Sequence, residues 1–188
     1  GFTLSGTVAA PMGNGGSGGC LFLNGTSTNP ADVDSINIAL VDSASGLVGL
    51  EGVGIVQDDG SVAVSWSDSL MIGERCYIRV RHRNSLETWS AVPLTVQSVM
   101  SYDFSSSAGS AYGANLRELG NGRFALWSGD VNQDQLIEAS DYTAVENAAL
   151  NFVFGYVPTD LTGDLLVEAT DYSIVENNMM LFLFTIQP

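Results

Sequence analysis

Residues 130–147 and 160–177 carry one eighteen-residue pattern twice, thirty residues apart. Asp-Val-Asn-Gln-Asp-Gln-Leu-Ile-Glu-Ala-Ser-Asp-Tyr-Thr-Ala-Val-Glu-Asn recurs as Asp-Leu-Thr-Gly-Asp-Leu-Leu-Val-Glu-Ala-Thr-Asp-Tyr-Ser-Ile-Val-Glu-Asn, with ten of eighteen positions identical. The match runs on through Phe152/Phe182, Phe154/Phe184 and Pro158/Pro188. A period held this faithfully marks a duplicated supersecondary unit, so the end of the chain must fold as two similar pieces.

Within each copy, oxygen-bearing side chains fall at positions 1, 3, 5, 9 and 12: Asp130, Asn132, Asp134, Glu138 and Asp141, then Asp160, Thr162, Asp164, Glu168 and Asp171. A hard cation such as Ca2+ takes six to eight oxygens, and a loop with this spacing wraps them around one point, with a backbone carbonyl added from position 7. Leu136 and Leu166 would supply that carbonyl. Ile137 and Val167, one position on, are expected to tie the two loops together. A helix should follow each loop, because Tyr142, Val145 and Ala149, like Tyr172, Val175 and Met179, fall at i, i+3 and i+7 and make one apolar stripe per helix.

Charge supports this division of labour. The chain of 188 residues has a net charge of -15, and residues 129–188 hold ten carboxylates with no basic residue. Solvated acidic faces are the ordinary explanation of such runs. Two copies of one five-ligand spacing favour two calcium sites, with a structural role for the metal. All six basic residues are arginine, which leaves no basic patch for a phosphate backbone or an anionic membrane. The longest apolar run, Met179 to Phe184, is far shorter than the roughly 18 residues a membrane-spanning helix needs. The chain begins at Gly1 without the pattern of a secretory signal, so any such signal is expected to have been removed or to lie outside it.

The first 127 residues alternate short apolar runs with turn signals, as an all-β sandwich does. Strands are expected at Phe2 to Val8, Cys20 to Leu23, Ile36 to Val41, Gly52 to Val56, Val62 to Trp66, Cys76 to Arg83, Leu94 to Val96, Tyr102 to Phe104 and Phe124 to Trp127. Asp59-Gly60 reads as a hairpin turn, Gly13 to Gly19 as a flexible tether and Ser105 to Ala114 as a long loop. The tethered first strand can fold back onto its own sandwich or enter a neighbour's, which would build a filament.

At the paired loops the sequence resembles the dockerin family, whose duplicated loops follow D-x-N-x-D-G-x-x-N-S-T-D. The resemblance implies two calcium ions held by an F-hand pair over residues 128–188. This sequence departs from the pattern in three ways. Position 6, where the loop turns sharply, is Gln135 and Leu165 instead of Gly. Thr162 is a poorer ligand than Asn132. Glu146-Asn147 and Glu176-Asn177 stand where many dockerins carry basic recognition residues. The segment around Arg79 to Asn84, together with Ala125 to Asn132, is similar to C-terminal modules of secreted bacterial surface proteins, in which a β-sandwich runs directly into such a segment.

Other signals are weaker. His82 shares a strand face with Cys76, Ile78 and Val80, which suits a buried structural role. The opposite row of Arg79, Arg81 and Arg83 is a candidate clamp onto the acidic segment. Cys20 and Cys76 are the only cysteines; in a secreted chain a pair suggests one disulfide, with two buried thiols as the alternative. Asn24-Gly25-Thr26 is a glycosylation sequon, and Trp66, Trp89 and Trp127 could stack on sugars. Gly15-Gly16-Ser17-Gly18-Gly19 matches a nucleophile-elbow pattern but sits in a flexible tract. The reading is a mainly β chain with a small α part: an Ig-like β-sandwich (1–127) and a dockerin-like pair of calcium loop-helix units (128–188). It is expected to be non-enzymatic and extracellular or cell-surface, as a structural or adhesive subunit of a filament or other homo-oligomer. The alternatives are an accessory module of a secreted enzyme, with a protein partner engaged through the paired loops, and a carbohydrate-binding module.

Overall fold

The computed structural model describes residues 2–7 and 19–188. The tether from Gly13 to Gly18, the Ser17 pattern within it and Val8 lie outside the described residues.

Two sheets face each other. The smaller has the order β4-β1-β8, from β1 (Phe2–Thr7), β4 (Ser61–Trp66) and β8 (Val99–Asp103). The larger has the order β3-β2-β5-β6, from β2 (Asp32–Asp42), β3 (Val48–Gln57), β5 (Arg75–His82) and β6 (Ser85–Trp89), with β7 (Leu94–Thr95) also paired to β5. Leu4, Val62 and Val64 meet Ile36, Ile38, Leu40, Ile78 and Val80 between the sheets in one buried core. The alternation in β5 is as its sequence requires, with Cys76, Ile78, Val80 and His82 inward and Tyr77, Arg79 and Arg81 less buried. The first strand folds back into its own sandwich, antiparallel to β4 and parallel to β8. Both of its hydrogen-bonding edges are therefore used within the chain.

Several expectations change. Cys20 to Leu23 forms a single helical turn, α1 (Cys20–Leu23), instead of a strand. Asp59-Gly60 does turn tightly, with Gly60 at φ +83°, but it joins two sheets rather than two paired strands. The turn brings β3 beside β4, and Gly54 permits the approach: a Cβ there would lie 2.5 Å from Val62 Cγ2. Residues 105–114 are tighter than a free loop, with two 3-10 turns at Ala108–Ser110 and Tyr112–Ala114. Tyr112 packs on Tyr77 beside Ala39, Val41 and Trp89, so β2 is covered on both faces. A short hairpin, β9 (Arg117–Gly120) with β10 (Arg123–Ala125), leads to the acidic segment.

The expected disulfide is absent, and both thiols are free and buried. The physical reason is register. Cys20 sits near Asp34 and Arg83, whereas Cys76 pairs with Asp42 at the far end of β2. Eight residues of strand at about 3.3 Å each separate the two ends by roughly 25 Å, and a disulfide requires Cα atoms within about 7 Å. Burial, as the main cause, pushes the Cys20 thiol up to about 12 and the Cys76 thiol up to about 11.

The acidic segment holds α2 (Ala139–Leu150) and α3 (Ala169–Met179). Val145 and Val175, both fully buried, meet Val131, Ile137, Leu161 and Val167 in a second core, and Tyr142 crosses Tyr172 edge to face at 6.1 Å. Core membership changes within the chain between Leu126, in the sandwich, and Trp127, in the second core. Leu86 breaks that separation: it belongs to sandwich strand β6 yet is buried in the second core.

Candidate metal centre

The two loops, residues 130–141 and 160–171, repeat one hydrogen-bond scheme. Asp141 Oδ1 accepts from the amides of Val131 and Asn132 at 2.8 and 3.2 Å, and its Oδ2 accepts from Glu138 N at 3.0 Å. Asp171 does the same with Leu161, Thr162 and Glu168 at 2.7, 2.9 and 2.9 Å. Position 12 thus closes its loop and also caps the helix that follows, where orphan amides attract a carboxylate. From position 1, Asp130 accepts from the amides of Asp134 and Gln135, and Asp160 from those of Gly163 and Leu165. The sharp turn at position 6 is made without glycine: Gln135 has φ +76° and Leu165 φ +71°. Each non-glycine residue held there costs on the order of 1 kcal/mol.

The remaining candidate ligands line the rim. Asp134 and Asp164 accept from the amides of Leu136 and Leu166 at 3.0 and 2.9 Å. Asn132 donates to Asp134 Oδ2, while Thr162 donates to Asp160 Oδ1 at 3.4 Å. Glu138 and Glu168 accept from Ser140 and Thr170 beside them. Ile137 and Val167 share the second core, while their backbones pair elsewhere. Ile137 N donates to Leu183 O and Val167 N to Val153 O, with bridges Leu136–Phe184 and Phe154–Leu166 alongside, so each loop holds the segment following the other copy's helix.

Asp130, Asp141, Asp160 and Asp171 are all at most 1% exposed. Burial pushes the Asp130 carboxyl up first, the Asp141 and Asp134 carboxylates add to this, and it reaches about 7 against the pull of two amides. Asp141 and Asp160 are raised as well, chiefly by burial. Among the described residues no three His, Cys, Asp or Glu side chains close on one point as metal ligands, because these carboxylates are turned to backbone amides. The donor set nevertheless fits a hard cation. It is all oxygen, rich in carboxylate, and holds buried like charges that a dication would relieve.

The sandwich meets the loops at the turn between β5 and β6. Arg83 donates through Nε to Asp34 Oδ2 at 3.1 Å and through Nη1 to the carbonyls of Val157 and Asp160, the latter at 2.9 Å. Its Nη2 lies 3.8 Å from Asp160 Oδ2, and its guanidinium lies over the Tyr156 ring at 4.7 Å. Asn84 donates to Asp160 O, Gly129 N to Asn84 O, and Gln133 to Ser85 O. The arginine clamp is thus Arg83 alone, since Arg79 and Arg81 pair with Glu51 and Glu87 within the sandwich. Asp34 is central: burial pushes its carboxyl up, but His82, Arg83 and the Tyr156 hydroxyl outweigh this and hold it at about 2. His82 is buried as expected, 3.1 Å from Asp34 Oδ2 and 3.2 Å from Ser85 Oγ.

Sequence reasoning missed Asp34, Leu86, Asn84 and Tyr156. An acid inside the apolar run of β2 was the one available signal, because a buried carboxylate demands a partner. The stacking platform for sugars is not formed: Trp66 and Trp89 are each 8% exposed, and Trp127 is half-buried under Arg117. Among the described residues no helix is long and apolar enough to cross a membrane.

No protein-family model matches the chain, and no curated protein sequence matches it. Its fold is similar to that of a chain in the crystal structure of an N-terminal interface mutant of the type II cohesin–X–dockerin complex from Acetivibrio cellulolyticus. The TM-score is 0.56 at 14% identity, over 94% of this chain and 94% of that one. At that identity the likeness is one of fold alone, a mainly β chain with few helices, and its extent takes in most of residues 128–188.

Proposed function

We propose that this chain is a non-enzymatic, extracellular protein-interaction module in which a β-sandwich carries a dockerin-like pair of loops stabilised by two calcium ions. The carrying observation is the set of four buried carboxylates, two per loop, with like charges side by side. Positions 1, 3, 5, 9 and 12 and the Leu136 and Leu166 carbonyls would hold the ions, whose role is structural. Calorimetric scans of the full chain in chelator and in millimolar Ca2+ test this: at a hundredfold excess over Kd a ligand of the folded form adds about 2.7 kcal/mol. Identical transitions would overturn the cation reading, and Asp130→Ala should remove one site while leaving the other.

Partner binding draws support from a second feature of the repeat. Phe152 and Phe182 are 84% and 87% exposed and sit at φ +53° and +55°, where a bulky residue is strained. Neither burial nor backbone geometry favours phenylalanine there. Phe154, Phe184, Leu150 and Met180 extend the exposed apolar surface. The naming of the similar structure as a cohesin–X–dockerin complex accords with a surface that docks another protein. The finer proposal, a subunit of a surface filament, rests on this apolar surface and not on exchange of β1, which is satisfied at home. Sedimentation of the calcium-loaded chain at rising concentration tests it, and a monomer throughout would refute it.

A further inference from the structure

The two loops repeat each other closely in their own hydrogen bonds and differ among their candidate side-chain ligands only at position 3, Asn132 against Thr162. A larger inequality comes from outside. The carbonyl of Asp160 accepts from Arg83 at 2.9 Å and from Asn84 at 3.0 Å, and the Arg83 guanidinium lies 3.8 Å from the Asp160 carboxylate. In the first loop the carbonyl of Asp130 accepts from Gln133, a neutral amide, at 2.6 Å, and residues 129–188 contain no base. Arg83 is also fixed in place: its side chain is 11% exposed, Asp34 holds its Nε, Tyr156 covers its face, and the Tyr156 hydroxyl in turn bonds Asp34.

We propose that Arg83 is the resident cation of the second loop. It partly neutralises Asp160 from the sandwich side, holds that loop folded without a metal ion, and sets its affinity for a divalent cation below that of the first loop. This rests on the calcium reading above. A dication bound to Asp160 would lie within a few ångströms of a fixed positive charge. At an effective dielectric near 20 that repulsion is more than the equivalent of a tenfold change in affinity. Arg83 is a positioning residue here: it touches the ligand-bearing residue and not the ion.

The test is isothermal calorimetry of Ca2+ binding to the full chain as wild type, Arg83→Gln and Arg83→Lys, with thermal scans in chelator. Arg83→Gln removes the charge and keeps an amide donor; it should tighten the weaker site by at least tenfold, leave the stronger site unchanged, and lower the transition in chelator. Arg83→Lys, which keeps the charge, should leave the weaker site as it was. A second measurement leaves the joint intact: Asp164→Ala and Asp134→Ala each isolate one site, and the site left by Asp164→Ala should bind more tightly. Unchanged or weakened binding in Arg83→Gln, or equal affinities of the isolated sites, would overturn the role of Arg83 while leaving the calcium reading standing. No binding of Ca2+ by the wild type would overturn that reading and this inference together.

Discussion

Replacing Leu86 with alanine should unfold both halves of the molecule together. Leu86 is fully buried, and although it belongs to β6 of the sandwich, its side chain packs with Val131, Ile137, Val145, Leu161, Val167 and Val175. Truncating a wholly buried leucine removes its transfer free energy and leaves a cavity, together about 3 kcal/mol within a range of roughly 2–5. For a chain of this size each kcal/mol moves Tm by roughly 2–4 °C, so a fall of about 6–12 °C is expected. The neighbouring strand residues cannot easily close the gap, because Ser85, Glu87, Thr88 and Trp89 are all buried and partnered. The assay is calorimetry with parallel tryptophan fluorescence and circular dichroism in calcium. Trp66 reports the sandwich core and Trp127 the second core. A loss below 1 kcal/mol, or two transitions of which only one moves, would refute the argument that β6 joins the two cores into one cooperative unit.

Acid should weaken the joint. The Asp34 carboxyl titrates near 2 folded and near 3.8 in the unfolded chain, so its contribution is complete above about pH 4 and is lost as pH falls toward 2. That is about 2 kcal/mol in all; Asp34→Asn should flatten this acid limb in pH-dependent unfolding, and an unchanged limb would count against it. Gly54→Ala should destabilise by about 1–3 kcal/mol in denaturant unfolding, because its Cβ would press on Val62 and Val64. Alkylation of unreduced, denatured chain should add two groups by mass, at Cys20 and Cys76, whereas the native chain should react with neither; a mass showing no alkylation would restore the disulfide. Phe152→Gly with Phe182→Gly should raise the transition by about 1 kcal/mol per site, since glycine takes φ near +55° without strain. A drop in Tm would mean those side chains support the fold after all.

The repeat was legible in sequence because its information is local. Loop spacing, the i, i+3, i+7 stripe on α2 and α3, and the alternation along β5 all lie within a few residues of chain, and period alone determines which side of an element is apolar. The same holds for the strained turns at Gln135 and Leu165, which the missing glycines announced. What the sequence could not determine depends on contacts far apart along the chain. Strand β6, Ser-Leu-Glu-Thr-Trp, has too few apolar residues to read as buried; it is buried because the second core closes over Leu86 and because Arg81 compensates Glu87. The separation of Cys20 from Cys76 follows from the register of β2 against β5, and no residue count conveys register. Asp34, Arg83 and the Tyr156–Asp160 segment come from three distant parts of the chain. Their charges have meaning only once burial has lowered the dielectric around them and packing has set the distances between them.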